Sequence, residues 1–199
     1  MFEVLTVCTG NICRSPLAEQ LLRRHLGDTD ARVTSAGTRG LRAAPMTPEA
    51  LALADQLGVP TADSTGHRSR FLTEQLLVDP DLIITMTSDH RRQVAELAPS
   101  RLRATFTARE FARLAADISD EEIRDAADSA PTQTPGDRVR AAALLVAGRR
   151  GMVMPPETPE DDDVIDPYGR SWQTYELSAR QLVPALNEVV RVLKAARPA

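Results

Sequence analysis

Residues 2–27 read FEVLTVCTGNICRSPLAEQLLRRHLG and change character twice within that span. Phe2–Val7 alternate and then run apolar, the pattern of a short buried strand ending at Cys8. Thr9 to Ser15 is polar and contains Gly10 and Asn11, so it reads as a loop. Ser15-Pro16 then opens a helix. The Ser15 hydroxyl is expected at the N-cap, Pro16 at the first helical position, Leu17, Leu21, Leu22 and Leu26 along one face, and Gly27 at the stop. The unit is strand, loop, helix.

The same unit recurs downstream. Arg32–Ala36 fits a strand, Gly37 to Thr47 a loop rich in turn formers, and Pro48–Leu57 a helix closed by Gly58. Leu82–Met86 fits a third strand, Ser88–Leu97 a helix halted before Pro99, and Arg101–Phe106 a fourth strand. Strands alternating with helices predict an α/β fold built on a parallel sheet with right-handed crossovers. Such folds bind ligands at the carboxyl ends of their strands, which is where the Cys8 loop lies.

Between Thr107 and Asp163 the pattern shifts to short helices, expected at Arg109–Ala116, Asp120–Ala127 and Asp137–Arg149. Phe111, Leu114, Ile118, Ile123, Leu144, Leu145 and Val146 read as their core-facing residues. The acidic, proline-rich run PPETPEDDD, residues 155–163, reads as a mobile surface loop. Ser171–Ala196 closes the chain as a long amphipathic helix in which Pro184 predicts a kink.

The chain has 199 residues, 42% hydrophobic and 26% charged, enough for one well-buried core. With 24 Lys+Arg against 28 Asp+Glu, net charge −4, it lacks the basic excess of a nucleic-acid or anionic-membrane binder, so neither partner is expected. No basic leader precedes the first strand and no window approaches a membrane span, which predicts a cytoplasmic protein. Cys8 and Cys13 alone cannot form the disulfide framework of a secreted domain and are too few for a Cys-only zinc site. No metal or cofactor is expected.

Cys8-Thr9-Gly10-Asn11-Ile12-Cys13-Arg14-Ser15 is a C-x5-R-S loop between a strand and a helix N-terminus. Inward-turned N–H groups of a tight loop make an anion nest, the helix N-terminus adds its positive end, and Arg14 supplies a fork matched to phosphate oxygens. A phosphate or sulfate ion should therefore bind across residues 9–14. The same field favours the thiolate of a cysteine at the loop's base, which makes Cys8 the candidate nucleophile. Gly10 and Asn11 are residue types that accept the left-handed backbone such a loop requires.

On these residues, VCTGNICRSPLAE at Val7–Glu19 resembles the active-site signature of the low-molecular-weight protein tyrosine phosphatases. SAG at Ser35–Gly37, HRSR at His67–Arg70, DLIITM at Asp81–Met86 and DPYG at Asp166–Gly169 follow in the family's order. The likeness covers residues 2–106 and 164–195. It implies a three-layer α/β sandwich with a four-stranded parallel sheet of order 2-1-3-4. Residues 107–163 depart from the family, being longer than its usual connection, and read as a helical insertion before the acid loop, a lid or an extra layer, within one domain over residues 1–199.

The resemblance also implies roles. Cys8 would take the phosphoryl group, Arg14 would bind phosphate and stabilise the transition state, and Asp166 would protonate the leaving phenol and later activate water. Ser15 would donate to the nucleophilic sulfur, while Asn11, Ser35 and His67 would hold the loop's turn. Cys13 would form a reversible disulfide with Cys8 under oxidation. Asp166 has possible decoys in the neighbouring Asp161–Asp163 run.

Specificity is read from the variable positions. A deep slot admits a phenyl ring to a thiol at its base, and Leu41 and Tyr168 are the expected walls. Leu41 and the single tyrosine of DPYG resemble the bacterial members that act on tyrosine autokinases of polysaccharide export. Ile12 offers no hydroxyl where relatives acting on phosphoarginine carry Thr, which favours phosphotyrosine over a protein-arginine phosphatase. A self-contained arsenate reductase needs further cysteines after Cys13, and there are none. A version using an external thiol, and a phosphate-loop binding module docking partners through residues 107–163, stay open as alternatives. Tyr168 and Tyr175 are candidate sites for modification by a partner kinase, with Trp172 packed beneath the acid loop.

Overall fold

The computed structural model describes residues 1–39 and 42–198. Leu41, the expected cavity wall, lies outside the described residues. Four parallel strands form one sheet: β1 (Phe2–Cys8), β2 (Ala31–Gly37), β3 (Leu82–Thr85) and β4 (Thr105–Thr107), in the order β2-β1-β3-β4. β1 is central and almost wholly buried, which is why its sequence runs apolar rather than alternating. Its pairing with β2 sets Cys8 opposite Gly37, and its pairing with β3 sets Val7 opposite Thr85, so the carboxyl ends of the three strands align.

Among the described residues, eight α-helices flank the sheet: α1 (Arg14–His25), α2 (Pro48–Gln56), α3 (Thr61–Gly66), α4 (Ser88–Leu97), α5 (Ala108–Ala115), α6 (Asp120–Asp128), α7 (Pro135–Gly148) and α8 (Trp172–Ala195). Local chemistry sets their ends. Thr47 and Thr87 accept hydrogen bonds from the first turns of α2 and α4, while Thr107 and Ser119 close capping boxes with Glu110 and Glu122 at α5 and α6. The larger of two apolar clusters joins α1 and α2 to α5–α8. The smaller one, of Leu5, Val7, Ala36, Leu72, Leu77, Ile83 and Val94, covers the opposite face of the sheet. No helix among the described residues is long and apolar enough to cross a membrane.

Several expectations need correction. The fourth strand is only Thr105–Thr107, because Pro99–Ala104 tightens into a 3-10 turn that takes up most of the predicted strand. Helix α3 and a 3-10 turn at Glu74–Leu77 are too short to show a period in the sequence. In the 107–163 segment Phe111, Leu114, Ile118, Ile123 and Val146 are buried and Leu145 partly so, but Leu144 faces solvent. The acidic run lies at the surface, exposed from Glu157 to Asp161, and its last two residues are anchored: Arg113 pairs with Asp162 at 2.6 Å, Arg109 donates to the Asp163 carbonyl, and Asp163 accepts from the Ser88 N–H at 2.7 Å. α8 continues as one helix through Pro184, whose exposed position lets solvent serve the carbonyl that the missing N–H leaves free.

Candidate active site

The Cys8 loop is shaped from outside. Thr38 and Arg39 N–H groups donate to the carbonyls of Cys8 and Thr9, His67 Nε2 meets the Asn11 carbonyl at 2.8 Å, Thr47 N–H donates to Ile12, and Leu17 N–H to Cys13. Five carbonyls are thereby drawn to partners beyond the loop. Among the described residues no protein acceptor takes the N–H of Gly10, Ile12 or Cys13, which is the arrangement an anion nest needs.

Asn11 is the residue that bends the loop. It adopts φ 54°, the left-handed region that asparagine tolerates, while Gly10 does not, so only one of the two expected turn residues plays that part. The Asn11 side chain is buried in a complete network, donating to Ser15 Oγ at 2.9 Å and Ser35 Oγ at 2.8 Å and accepting from the Arg70 N–H at 3.0 Å. Ser35 in turn donates to Glu19. Gly37 completes the support, since a Cβ there would lie 2.6 Å from the Thr9 carbonyl oxygen and 3.0 Å from Asn11. Only glycine fits that approach.

Cys8 Sγ accepts from the Asn11 N–H at 3.3 Å and lies 3.0 Å from Ser15 Oγ. Ser15 is therefore not the N-cap. Helix α1 begins at Arg14, two residues before the expected Pro16, and the hydroxyl turns inward to the sulfur and Asn11 instead of back to the helix end. Arg14 is 4% exposed, donates from Nη1 to the Val164 carbonyl at 3.0 Å and pairs through Nη2 with Asp166 at 2.9 Å. Its Nε is buried with no hydrogen-bond partner. A buried guanidinium N–H left over beside a nest of free amides is a donor set for a tetrahedral oxyanion.

Cys8, Thr9, Gly10, Ile12, Cys13, Arg14, Arg39, Asp166 and Tyr168 line one cavity of about 270 Å³. The sulfur is at its base, Asp166 is half-exposed at its side, and Tyr168 is 60% exposed at its mouth. Of Asp161, Asp162, Asp163 and Asp166, only Asp166 forms an ion pair with the loop among the described residues, through Arg14. Asp161 caps the turn at Thr158, Asp162 pairs with Arg113 and Asp163 caps Ser88. Cys13 and Cys8 are both free thiols, and burial pushes the Cys13 thiol up despite contacts with Thr47 and Tyr175. Tyr175 is 2% exposed and hydrogen-bonded to Thr47, so in the folded chain it is closed to a kinase. Trp172 stacks on it.

Two residues of this site have no signal in the sequence. His90, buried on α4, bridges Thr9 Oγ1 at 2.9 Å and Thr87 Oγ1 at 2.8 Å. Burial, then the Arg14 charge, pulls its imidazole down to about 4, which keeps it neutral. Arg39 reaches the cavity from the loop after β2. A lone histidine in a helix carries no spacing cue, and Arg39 is brought near only by the pairing of Thr38 and Arg39 with Cys8 and Thr9.

The model of the low molecular weight phosphotyrosine protein phosphatases matches residues 3–130. Etp of Escherichia coli K12, a low molecular weight protein-tyrosine-phosphatase, is 44% identical over 97 residues, 49% of this chain and 62% of its own length. The matched segment thus spans less than two thirds of that relative. The tyrosine phosphatase Wzb of Escherichia coli K30, solved with sulphate, superposes with TM-score 0.64 at 23% identity over 96% of this chain and 97% of its own. The YwlE arginine phosphatase of Geobacillus stearothermophilus superposes with TM-score 0.66 at 21% identity over 98% and 94%. The two structures share the fold, and the family is carried by the model that runs from β1 through α6: the chain belongs to the low molecular weight phosphotyrosine protein phosphatases.

Proposed function

We propose that this protein hydrolyses phosphotyrosine in protein substrates through a phosphocysteine on Cys8, without metal or cofactor. The observation that carries the reading is the joint placement of Cys8 Sγ, the unpartnered Arg14 Nε and the Asp166 carboxylate around one cavity mouthed by Tyr168. The phosphoryl group sits on the loop amides of residues 9–14 with Arg14 across its oxygens. Cys8 sulfur attacks phosphorus as the P–O bond to the phenol breaks, and Asp166 gives its proton to the departing oxygen. In the second half Asp166 takes a proton from water, whose oxygen attacks phosphorus. The S–P bond breaks, and the Ser15 hydroxyl stabilises the released thiolate.

Asn11, Ser35 and His67 act by holding the loop, and Cys13 is the partner for a protective disulfide. Ile12 presents an apolar wall to the ring, which supports phosphotyrosine over phosphoarginine. A cytoplasmic tyrosine autokinase fits as the substrate protein, and the 107–163 segment as a helical layer bracing the acid loop through Arg109 and Arg113. Trapping tests the mechanism. Asp166→Asn incubated with a phosphotyrosine peptide should carry one phosphoryl group on the peptide containing Cys8, by mass spectrometry after rapid acid quench. A phosphoryl group on any other residue would refute it.

A further inference from the structure

A second cavity, of about 460 Å³, touches neither Cys8 nor Asp166. Its wall includes Ser35, His67 and Arg70, the residues that hold Asn11, together with Glu19, Gln20, Arg23, Asp63 and Arg68. Three guanidinium groups therefore face two carboxylates. Glu19 is already engaged, by Arg23 at 2.5 Å and by Ser35. Arg68 and Arg70 make no ion pair among the described residues. Arg68 donates from Nη1 to the carbonyls of Thr65 and His67, and Arg70 from Nε to that of Ser35. Their other guanidinium nitrogens remain spare donors. Gln20 is 4% exposed, and its Oε1 is buried without a hydrogen-bond partner, so the same wall holds a spare acceptor. Burial also holds the Arg70 guanidinium below its ordinary value, a cost that a bound anion would offset.

We propose that this cavity is a regulatory site for a small phosphate-bearing molecule of about nucleotide size, with its phosphate across Arg68 and Arg70 and an N–H or O–H donor toward Gln20. The site is coupled to the catalytic loop by contacts already present. Arg70 holds Asn11 Oδ1 through its backbone N–H at 3.0 Å and the Ser35 carbonyl through Nε at 2.7 Å, and Ser35 Oγ accepts from Asn11. An anion that draws the Arg70 guanidinium away from Ser35 slackens the clamp on the loop's left-handed residue. Occupancy therefore lowers kcat while leaving KM nearly unchanged, because the substrate cavity itself is not filled.

Adenosine 5′-monophosphate is the probe. Calorimetry on Arg14→Ala, in which the catalytic loop has lost its own guanidinium, should show saturable binding at one site that disappears when Arg68→Glu is added. Absence of binding, or binding indifferent to Arg68→Glu, overturns the proposal. This arm needs no turnover, so it reads out even if phosphotyrosine is not the substrate. Kinetics on the unmodified catalytic loop provide the second arm. The probe should lower kcat about fivefold with KM changed less than about twofold, and Arg68→Glu or Gln20→Leu should abolish the effect without changing basal turnover. Inhibition that raises KM alone, and persists in both variants, overturns it.

Discussion

At the scale of single residues, the proposed mechanism separates groups that react from groups that orient them. Cys8→Ser removes the proposed nucleophilic sulfur but none of the loop's donors, so turnover should vanish while sulfate binding, read by calorimetry, persists. Asp166→Asn keeps shape and removes the proton. It should cost roughly 10²–10⁴-fold in kcat with poor leaving groups and much less with a good one such as a nitrophenol. The other aspartates are engaged elsewhere, so they cannot make good the loss. His90 adds a pH signature. Its imidazole, ordinarily near 6.5, sits at about 4 in the folded chain, so below 6.5 the unfolded chain takes up the proton first. Stability is undiminished above 6.5 and is lost as pH falls toward 4. Urea midpoints across that window should fall with acidification, and His90→Gln should show a shallower fall.

At the scale of elements, the catalytic loop depends on backbone approach as much as on side chains. Gly37 faces Cys8 across β1 and β2 with the Thr9 carbonyl too close for any Cβ. Gly37→Ala should displace the loop and lower kcat/KM by about 10²-fold or more, since catalytic geometry tolerates little misplacement, with a circular dichroism spectrum close to that of the parent. Ser119→Ala, which breaks the capping box of α6 far from the loop, should lower unfolding stability by about 1 kcal/mol without altering kcat. This scale also shows what could be read in advance. β1, the loop and α1 were legible because periodicity, turn formers and a Ser-Pro pair coincide in residues 2–27. The start of α1 lies two residues ahead of its sequence signal because a hydroxyl before proline is an ordinary cap signal, and only the folded loop shows Ser15 serving Cys8 and Asn11. His90 and Arg39 carry no sequence signal for a similar reason: their partners in the Cys8 loop are distant in sequence and reach them only through the fold.

At the scale of the whole molecule, residues 107–163 belong to the core that supports the site. Ile123 is fully buried in the larger apolar cluster with α7 and α8, and Arg109 and Arg113 tie α5 to the segment that leads into Asp166. Ile123→Ala should therefore cost about 2–5 kcal/mol, as a core truncation does, whereas the same change in a detachable lid would cost almost nothing. Equilibrium denaturation distinguishes the two. The account as a whole rests on Cys8 chemistry directed at phosphotyrosine. The most direct measurement is phosphate release from a phosphotyrosine peptide, a phosphoarginine protein and a phosphoserine peptide, in the presence of chelator, by the native chain and by Cys8→Ser. The account predicts release from phosphotyrosine alone and none from the variant. Equal release by Cys8→Ser, or release from phosphoarginine but not phosphotyrosine, would contradict it.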